Sequence, residues 1–308
     1  MRAGLSIIGA GRVGRALGRR LHELGWKIGA VVTRRESTAR KAVRSVGAGK
    51  AHAGISRNVL SARLILIAVP DDAIARAARE LARIGAEELR GKIVLHTSGA
   101  LNSSALQPVR ECGAFVGSLH PLQSFSGVAI PPLDGKVFTI EGDPAAVRLA
   151  RQIVRGLGGL PVQIAPGDKV LYHAAAALAA GHVLAIEEAA TRLLMFAGMK
   201  RGAAVRSLLQ LTRQVLENFE RLGARPAWTG PLARGDYQVV AAHLAAMQPL
   251  PREFGNAYAA LNKLARLVLS PDSAGIFAGR HASPQNKSVR VAAHSAAGGK
   301  VEAAANRN

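Results

Sequence analysis

The sequence predicts an open α/β domain followed by a helical domain and a loose C-terminal end. Three observations carry this. Strand-like and helix-like patterns alternate through the first 164 residues, a glycine-rich turn follows the first strand, and the alternation stops at Ala165-Pro166-Gly167-Asp168. Beyond that break the chain reads as helices to about Ser270. Alternation of this kind requires parallel strands joined by crossover helices, the doubly wound arrangement. The expected bounds are 1–164 for a dinucleotide-binding domain, 165–280 for a helical substrate and dimerisation domain, and 281–308 for a flexible tail of small and polar residues.

Each element has its own signature. Leu5 to Ile8 is a short apolar strand, Val13 to Leu24 a helix, Trp26 to Val32 a second strand and Arg35 to Val46 a second helix. Leu64 to Val69 is a continuous apolar run of strand length, which needs cover on both faces. Asp72 to Ile84 is helical, Lys92 to His96 a strand, Ser103 to Cys112 a helix and Phe115 to Leu119 a strand. The strand Val137 to Glu141, the helix Pro144 to Leu157 and the strand Pro161 to Ile164 continue the sheet. In the helical part, breaks are expected at Gly198, Gly223, Trp228 to Asp236 and Pro249-Leu250-Pro251.

A length of 308 residues suits two lobes, and 49% hydrophobic with 20% charged residues is the composition of a folded chain. The single cysteine, Cys112, excludes an internal disulfide and a multi-cysteine zinc site, and it fits a cytoplasmic setting. The N-terminal apolar segment runs into a glycine turn with Arg12 and Arg15 and does not read as a secretory signal. A membrane span of about 20 apolar residues is not expected, because the apolar stretches are short or interrupted. The alanine-rich run from Val170 to Met195 carries His173, His182, Glu187, Glu188 and Arg192 and reads as a buried or interface helix. The formal charge is +21, and residues 1–100 supply +12 of it, with 19 Lys+Arg against 7 Asp+Glu. These arginines, among them Arg76, Arg79, Arg83 and Arg90, are spread over helix faces; aromatics are only 4% and no nucleic-acid-binding signature occurs, so neither nucleic acid nor membrane is expected as a partner.

Gly9-Ala10-Gly11-Arg12-Val13-Gly14 fits G-x-G-x-x-G between a strand and a helix. Gly9 serves a tight turn, Gly11 lets the backbone approach a pyrophosphate, and Gly14 lets helix and strand pack closely, while helix N-terminal amides face the anion. At the end of the second strand, where an NAD-binding chain presents a carboxylate to the ribose, this one has Thr33-Arg34-Arg35. A hydroxyl and two guanidiniums can donate to a 2′-phosphate, which favours NADP(H). Val69 and Pro70, with Asp71-Asp72 able to cap the next helix, and Thr97-Ser98-Gly99 follow strands at the carboxyl edge of the sheet, where ligands of such sheets bind. They border a nicotinamide or are ordinary turns.

Candidates for chemistry lie nearby. His120, within Ser118-Leu119-His120-Pro121-Leu122-Gln123-Ser124-Phe125, is placed to donate to a substrate oxygen, with Ser98, Gln123 and Arg234 as substrate contacts. Lys169 and His173 stand four residues apart on one helix face; they present an ammonium and an imidazole to substrate, or they are a surface lysine above a packed histidine. In Trp228-Thr229-Gly230-Pro231-Leu232-Ala233-Arg234-Gly235-Asp236, Thr229 is placed to cap a helix starting at Pro231, and Arg234 grips a carboxylate or pairs with Asp236. No metal-ligand spacing and no hydrolase nucleophile motif occurs.

The stretches GAGRVG, VPDDAI at 69–74, HTSGA at 96–100, SLHPLQSF at 118–125, KVLYHAAAALAA at 169–180 and TGPLARGD at 229–236, with His243 following, resemble one family over residues 3 to 275. It is the two-domain Rossmann-like NADP oxidoreductase family whose C-terminal half is a domain of unknown function, in the 6-phosphogluconate dehydrogenase-like superfamily. The resemblance implies a Rossmann doubly wound sheet, then an all-helical C-terminal domain of the 6-phosphogluconate dehydrogenase C-terminal-like type, similar to ketopantoate reductase and pyrroline-5-carboxylate reductase and paired as a homodimer. It also implies that Lys169 takes the superfamily's substrate-facing lysine position and His173 that of an Asn four residues on. Where the family pattern has Ser-Asn, this chain has Ala180-Gly181, with His182 beside them. The expected activity is NADPH-linked hydride transfer to a small carbonyl substrate, a 2-oxo acid such as ketopantoate, with Lys169 supplying a proton and His173 and His120 orienting the oxygen. The alternatives are an imine reductase of the pyrroline-5-carboxylate type and a non-catalytic pyridine-nucleotide-binding regulator.

Overall fold

The computed structural model describes residues 4–269, so the expected tail at 281–308 falls outside the described residues. The chain divides into two compact units, Met1–Ile186 and Glu187–Asn308. That division falls within the helical run after the sheet and not at Ala165-Pro166-Gly167-Asp168, where the strand pattern ends.

The first unit is built on one sheet in the order β3-β2-β1-β4-β5-β6-β7-β8. Its strands are β1 (Leu5–Ile8), β2 (Ile28–Thr33), β3 (Lys50–Ala53), β4 (Leu64–Ile67), β5 (Ile93–His96), β6 (Phe115–Pro121), β7 (Val137–Gly142) and β8 (Leu160–Gln163). Neighbours are parallel except β6 and β7. Between them run α1 (Arg12–Glu23), α2 (Glu36–Val46), α3 (Asp71–Gly85), α4 (Gln107–Glu111) and α5 (Pro144–Gly156). The run at Leu64 is covered on both faces as its composition demands: Leu64 and Leu66 enter one apolar cluster with Leu5, Ile7, Leu17 and Phe138, while Ile65 and Ile67 enter the other with Ile8, Ile74 and Val94. Strand order reverses at β1, between β2 and β4, which opens a crevice at the carboxyl ends of those strands.

Two local features differ from the sequence reading. Lys50-Ala51-His52-Ala53 has little β propensity, yet it forms the edge strand β3 by pairing with β2 over Ala30 to Thr33, and tertiary pairing supplies what propensity lacks. The expected single helix from Ser103 is a 3₁₀ turn, Ser103–Leu106, capped by the Asn102 side chain and leading into the short α4, whose first turn contains Pro108.

After β8 the chain enters α6 (Lys169–Ala177), passes through a π turn at Leu178–His182, and continues as α7 (Val183–Phe196). The π turn contains Ala180-Gly181. The whole stretch Pro166–Phe196 is long and apolar enough to cross a membrane by length and composition, contrary to the expectation of interrupted apolar segments. None of its most apolar window is buried, so it is not a core helix of this chain.

The second unit continues through α8 (Arg201–Leu222), α9 (Ala224–Ala227), α10 (Pro231–Arg234), α11 (Tyr237–Ala246) and α12 (Arg252–Leu269), and the breaks fall where glycine and proline predict them. Pro231 opens α10 at its first turn, but Gly230 occupies the cap position and no side chain caps it, so the expected Thr229 cap does not form. Among the described residues of this unit only Thr191, Ala204 and Ala227 are buried.

The three glycines after β1 divide their tasks. Gly9 turns with φ +87°, in the left-handed region that glycine enters at no steric cost. A Cβ on Gly14 would collide with the Gly9 carbonyl oxygen, whereas one on Gly11 would meet nothing within 4 Å. Gly14→Ala is therefore expected to destabilise the fold by roughly 1–3 kcal/mol, the cost of overpacking, in urea denaturation. Gly11→Ala should unfold within about 0.5 kcal/mol of the parent, as surface changes do, while interfering with a ligand laid against that backbone.

Candidate functional site

A cleft of about 830 Å³ lies along the switch point, bounded by the glycine turn after β1, the end of β2 and the start of α3. Gly9, Ala10 and Gly11 line it, as do Thr33, Arg34 and Arg35, and Val69 and Pro70. These sequence-predicted positions come together in one place. Arg12, Val13 and Gly14 do not line it: Arg12 Nη1 donates to the Phe125 carbonyl at 3.3 Å, Val13 packs on the core and Gly14 against Gly9.

Thr33 departs from the expected donor role, because its hydroxyl donates to the Arg35 carbonyl at 2.7 Å and shapes the turn instead. Arg34 and Arg35 are exposed and their guanidiniums make no ion pair among the described residues. Arg76 of α3 lines the same cleft, equally unpaired, with Asp72 and Glu80 on its own helix. Arg76 had read only as a helix-face charge; its place on the cleft wall depends on how α3 packs on the sheet.

At the carboxyl ends of β5 and β6 a second group of polar side chains converges. Asp71, expected to cap α3, is instead its first residue, behind Pro70, and its carboxylate accepts from Ser98 Oγ at 2.8 Å. That bond ties the loop after β4 to the loop after β5. Ser98 Oγ also accepts from the amides of Ala100 and Leu101. His96 is buried; its Nδ1 accepts from the Ser98 amide and its Nε2 donates to the Asn102 carbonyl, at 3.2 and 3.1 Å. Thr97 is buried and its amide continues the ladder to the Ile67 carbonyl. Glu141, 2% exposed, accepts from both the amide and the hydroxyl of Ser103 and fixes β7 to the turn before α4.

Lys169, the first residue of α6, is 0% exposed. Its Nζ donates to the Ser98 carbonyl at 2.7 Å and to Ser118 Oγ at 2.8 Å, so helix, β5 loop and β6 meet on one ammonium. A lysine presenting its ammonium freely to a substrate was one expectation; in this structure the charge is buried and two of its three N–H groups are committed. The surface lysine of the other expectation is not found either, while His173 reaches the same loop. The space that a side chain on Gly99 would take is held by the edge of the His173 ring and by Nε2 of His120, so a Cβ there would require both rings to shift. The rings of His120 and His173 lie edge to face, with centroids 5.8 Å apart. His120 Nδ1 is 2.8 Å from the Tyr172 hydroxyl. Lys169, His173, His120 and Ser98 are thus gathered at one sheet edge, together with Tyr172, which the sequence reading passed over. Gln123 is half-buried in the loop after β6, and Arg234, in the second unit, pairs with Asp236 at 3.0 Å.

Burial dominates the electrostatics of this edge. It lowers Lys169 to about 8, against the opposing pull of Glu141 and Asp71. Burial and then the Lys169 charge lower both His96 and His120 to about 4, so both imidazoles are neutral at pH 7. Burial raises the Tyr172 phenol, which stays protonated. Because the folded-state value of Lys169 lies below its ordinary 10.5, the unfolded chain binds more protons between pH 8 and 10.5, and stability rises with pH across that window. Urea midpoints measured from pH 7.5 to 10.5 are expected to show this rise in the parent and to lose it in Lys169→Met.

No curated protein matches this chain significantly. Solved structures similar to it include a Bacteroides fragilis protein described as an NADP oxidoreductase (20% identity, TM-score 0.69, covering 85% of this chain and 97% of that one). A Plasmodium falciparum pyrroline carboxylate reductase with NADP bound aligns at 14% identity and TM-score 0.56, over 87% of this chain and 99% of the other. A reductive aminase from Aspergillus terreus, in complex with NADPH and ethyl-5-oxohexanoate, aligns at 18% identity and TM-score 0.64, over 86% and 94%. At these identities the likeness is one of fold. Residues 1–121 match the Rossmann-like domain and residues 136–265 the domain of unknown function DUF2520. The two matches follow one another along the chain, the Rossmann-like domain first and DUF2520 second.

Proposed function

We propose that this protein is an NADPH-dependent oxidoreductase that transfers hydride to a small carbonyl substrate, a 2-oxo acid such as ketopantoate. The observation that carries the reading is the cleft lined by Gly9 and Gly11 and by Arg34, Arg35 and Arg76, whose guanidiniums make no ion pair among the described residues. A dinucleotide fits this donor set. Bare backbone at Gly11 admits a pyrophosphate at the start of α1, and guanidiniums suit a 2′-phosphate by paired, charge-assisted hydrogen bonds. The likeness to folds crystallised with NADP and NADPH supports the same cofactor.

Bound there, the nicotinamide supplies the hydride, and the protein supplies position and charge. Val69, Pro70, Thr97 and Ser98, on the loops after β4 and β5, border the ring and exclude water. His120, neutral at pH 7, and His173 orient the substrate oxygen over Gly99. The Lys169 ammonium, held on the Ser98 carbonyl, stabilises negative charge developing at that edge and, with its lowered pKa, is the proton source for the alkoxide through a shift of the 98–99 loop. Gln123, in the loop after β6, is a further substrate contact. A second reading, reduction of a carbon–nitrogen double bond, is favoured by the likeness to a reductive aminase and a pyrroline carboxylate reductase.

The protein also acts as a homodimer in this reading, in a cytoplasmic setting. Phe196 and Leu211 are each more than 60% exposed, and the described residues of the second unit bury almost nothing, so its apolar faces require a partner surface, which a second copy supplies.

NADPH oxidation followed against a panel of 2-oxo acids, other carbonyls and cyclic imines tests the function; turnover of none would leave a pyridine-nucleotide-binding regulator. Arg34→Ala with Arg35→Ala is expected to raise the Kd for NADPH by about 10-fold or more while barely changing that for NADH, measured by nucleotide fluorescence. Light scattering during size exclusion should give twice the 32.1 kDa chain mass, and a monomer would remove the dimer from the proposal.

A further inference from the structure

The residue roles given so far leave one half-buried polar contact unused, that between Tyr172 and His120. We propose that Tyr172 is a positioning residue whose hydroxyl donates to His120 Nδ1 and so holds the ring's single proton on Nε2, over Gly99, as a fixed donor to the substrate's oxygen or nitrogen. This rests on the reading of the 98–99 loop as the substrate edge.

The argument is one of direction. A neutral imidazole has one N–H and one acceptor nitrogen, and the partner of one nitrogen decides the state of the other. The contact at Nδ1 is 2.8 Å, the length of a good hydrogen bond. Between a phenol and an imidazole, the more acidic phenol O–H is the better donor and the ring nitrogen the better acceptor. The rings stand at 83° with centroids 5.6 Å apart, which brings the hydroxyl to the ring edge and not its face. The other nitrogen, Nε2, lies over Gly99 and makes no hydrogen bond among the described residues. His173 packs beside it edge to face and restricts rotation of the ring. The charge facing this pair is the Lys169 ammonium, which disfavours a second proton on His120. Tyr172 lies three residues after Lys169 on α6, so one helical turn sets both the cation and the tautomer.

The experiment is ¹⁵N NMR of histidine-labelled full-length protein at neutral pH without ligand, with the His120 signals assigned through His120→Gln. The expected spectrum has a protonated Nε2 and a bare Nδ1, and in Tyr172→Phe a mixture of both tautomers. A proton on Nδ1 in the parent, or an unchanged His120 in Tyr172→Phe, would overturn the proposal. Because this readout needs no turnover, it stands apart from the reductase assay. Where a substrate is reduced, Tyr172→Phe is expected to lower kcat about 10-fold, the order of one lost hydrogen bond, with KM for NADPH unchanged.

Discussion

The buried ammonium of Lys169 is the contact on which the polar edge of this protein depends. A cation without solvent exposure must be hydrogen-bonded, and the partners it finds, the Ser98 carbonyl and the Ser118 hydroxyl, belong to two different strand ends. The start of α6 is thereby fixed to β5 and β6, and its next turn brings His173 over Gly99 and Tyr172 to His120. Burial first, and the same charge second, keep His96 and His120 neutral.

The cleft at the switch point obeys a separate constraint, the close packing of α1 on β1. Gly14 permits that approach, Gly9 permits the turn, and the bare backbone of Gly11 is what remains facing outward. The arginines on the cleft wall are a product of placement as much as composition: Arg34 and Arg35 follow β2 directly, and Arg76 comes from α3. The Ser98–Asp71 bond ties the loops after β4 and β5 together and so links the rim of the cleft to the polar edge.

The second unit shows how composition can foretell helices without foretelling what covers them. Glycine and proline locate its breaks well, since they act through local backbone geometry. Its apolar positions, Leu211 and Phe196 among them, look like core residues in the sequence, yet they are exposed in the chain by itself. Periodicity reports that a face is apolar and is silent about whether the cover comes from the same chain.

The sequence alone determined the alternation of the α/β domain, the two-sided burial of Leu64 to Ile67, and the tasks of Gly9 and Gly14. These follow from local rules: backbone reach, side-chain period and the steric needs of a tight turn. Tertiary structure alone decided the rest. It made an edge strand of Lys50–Ala53, took the Thr33 hydroxyl for a turn and Asp71 for Ser98, buried Lys169, and placed Tyr172 against His120 and Arg76 on the cleft wall. Each of these is a contact between residues that competing local partners or long sequence separation hide, and hydrogen-bond choice among such partners is settled only when the packing fixes their distances.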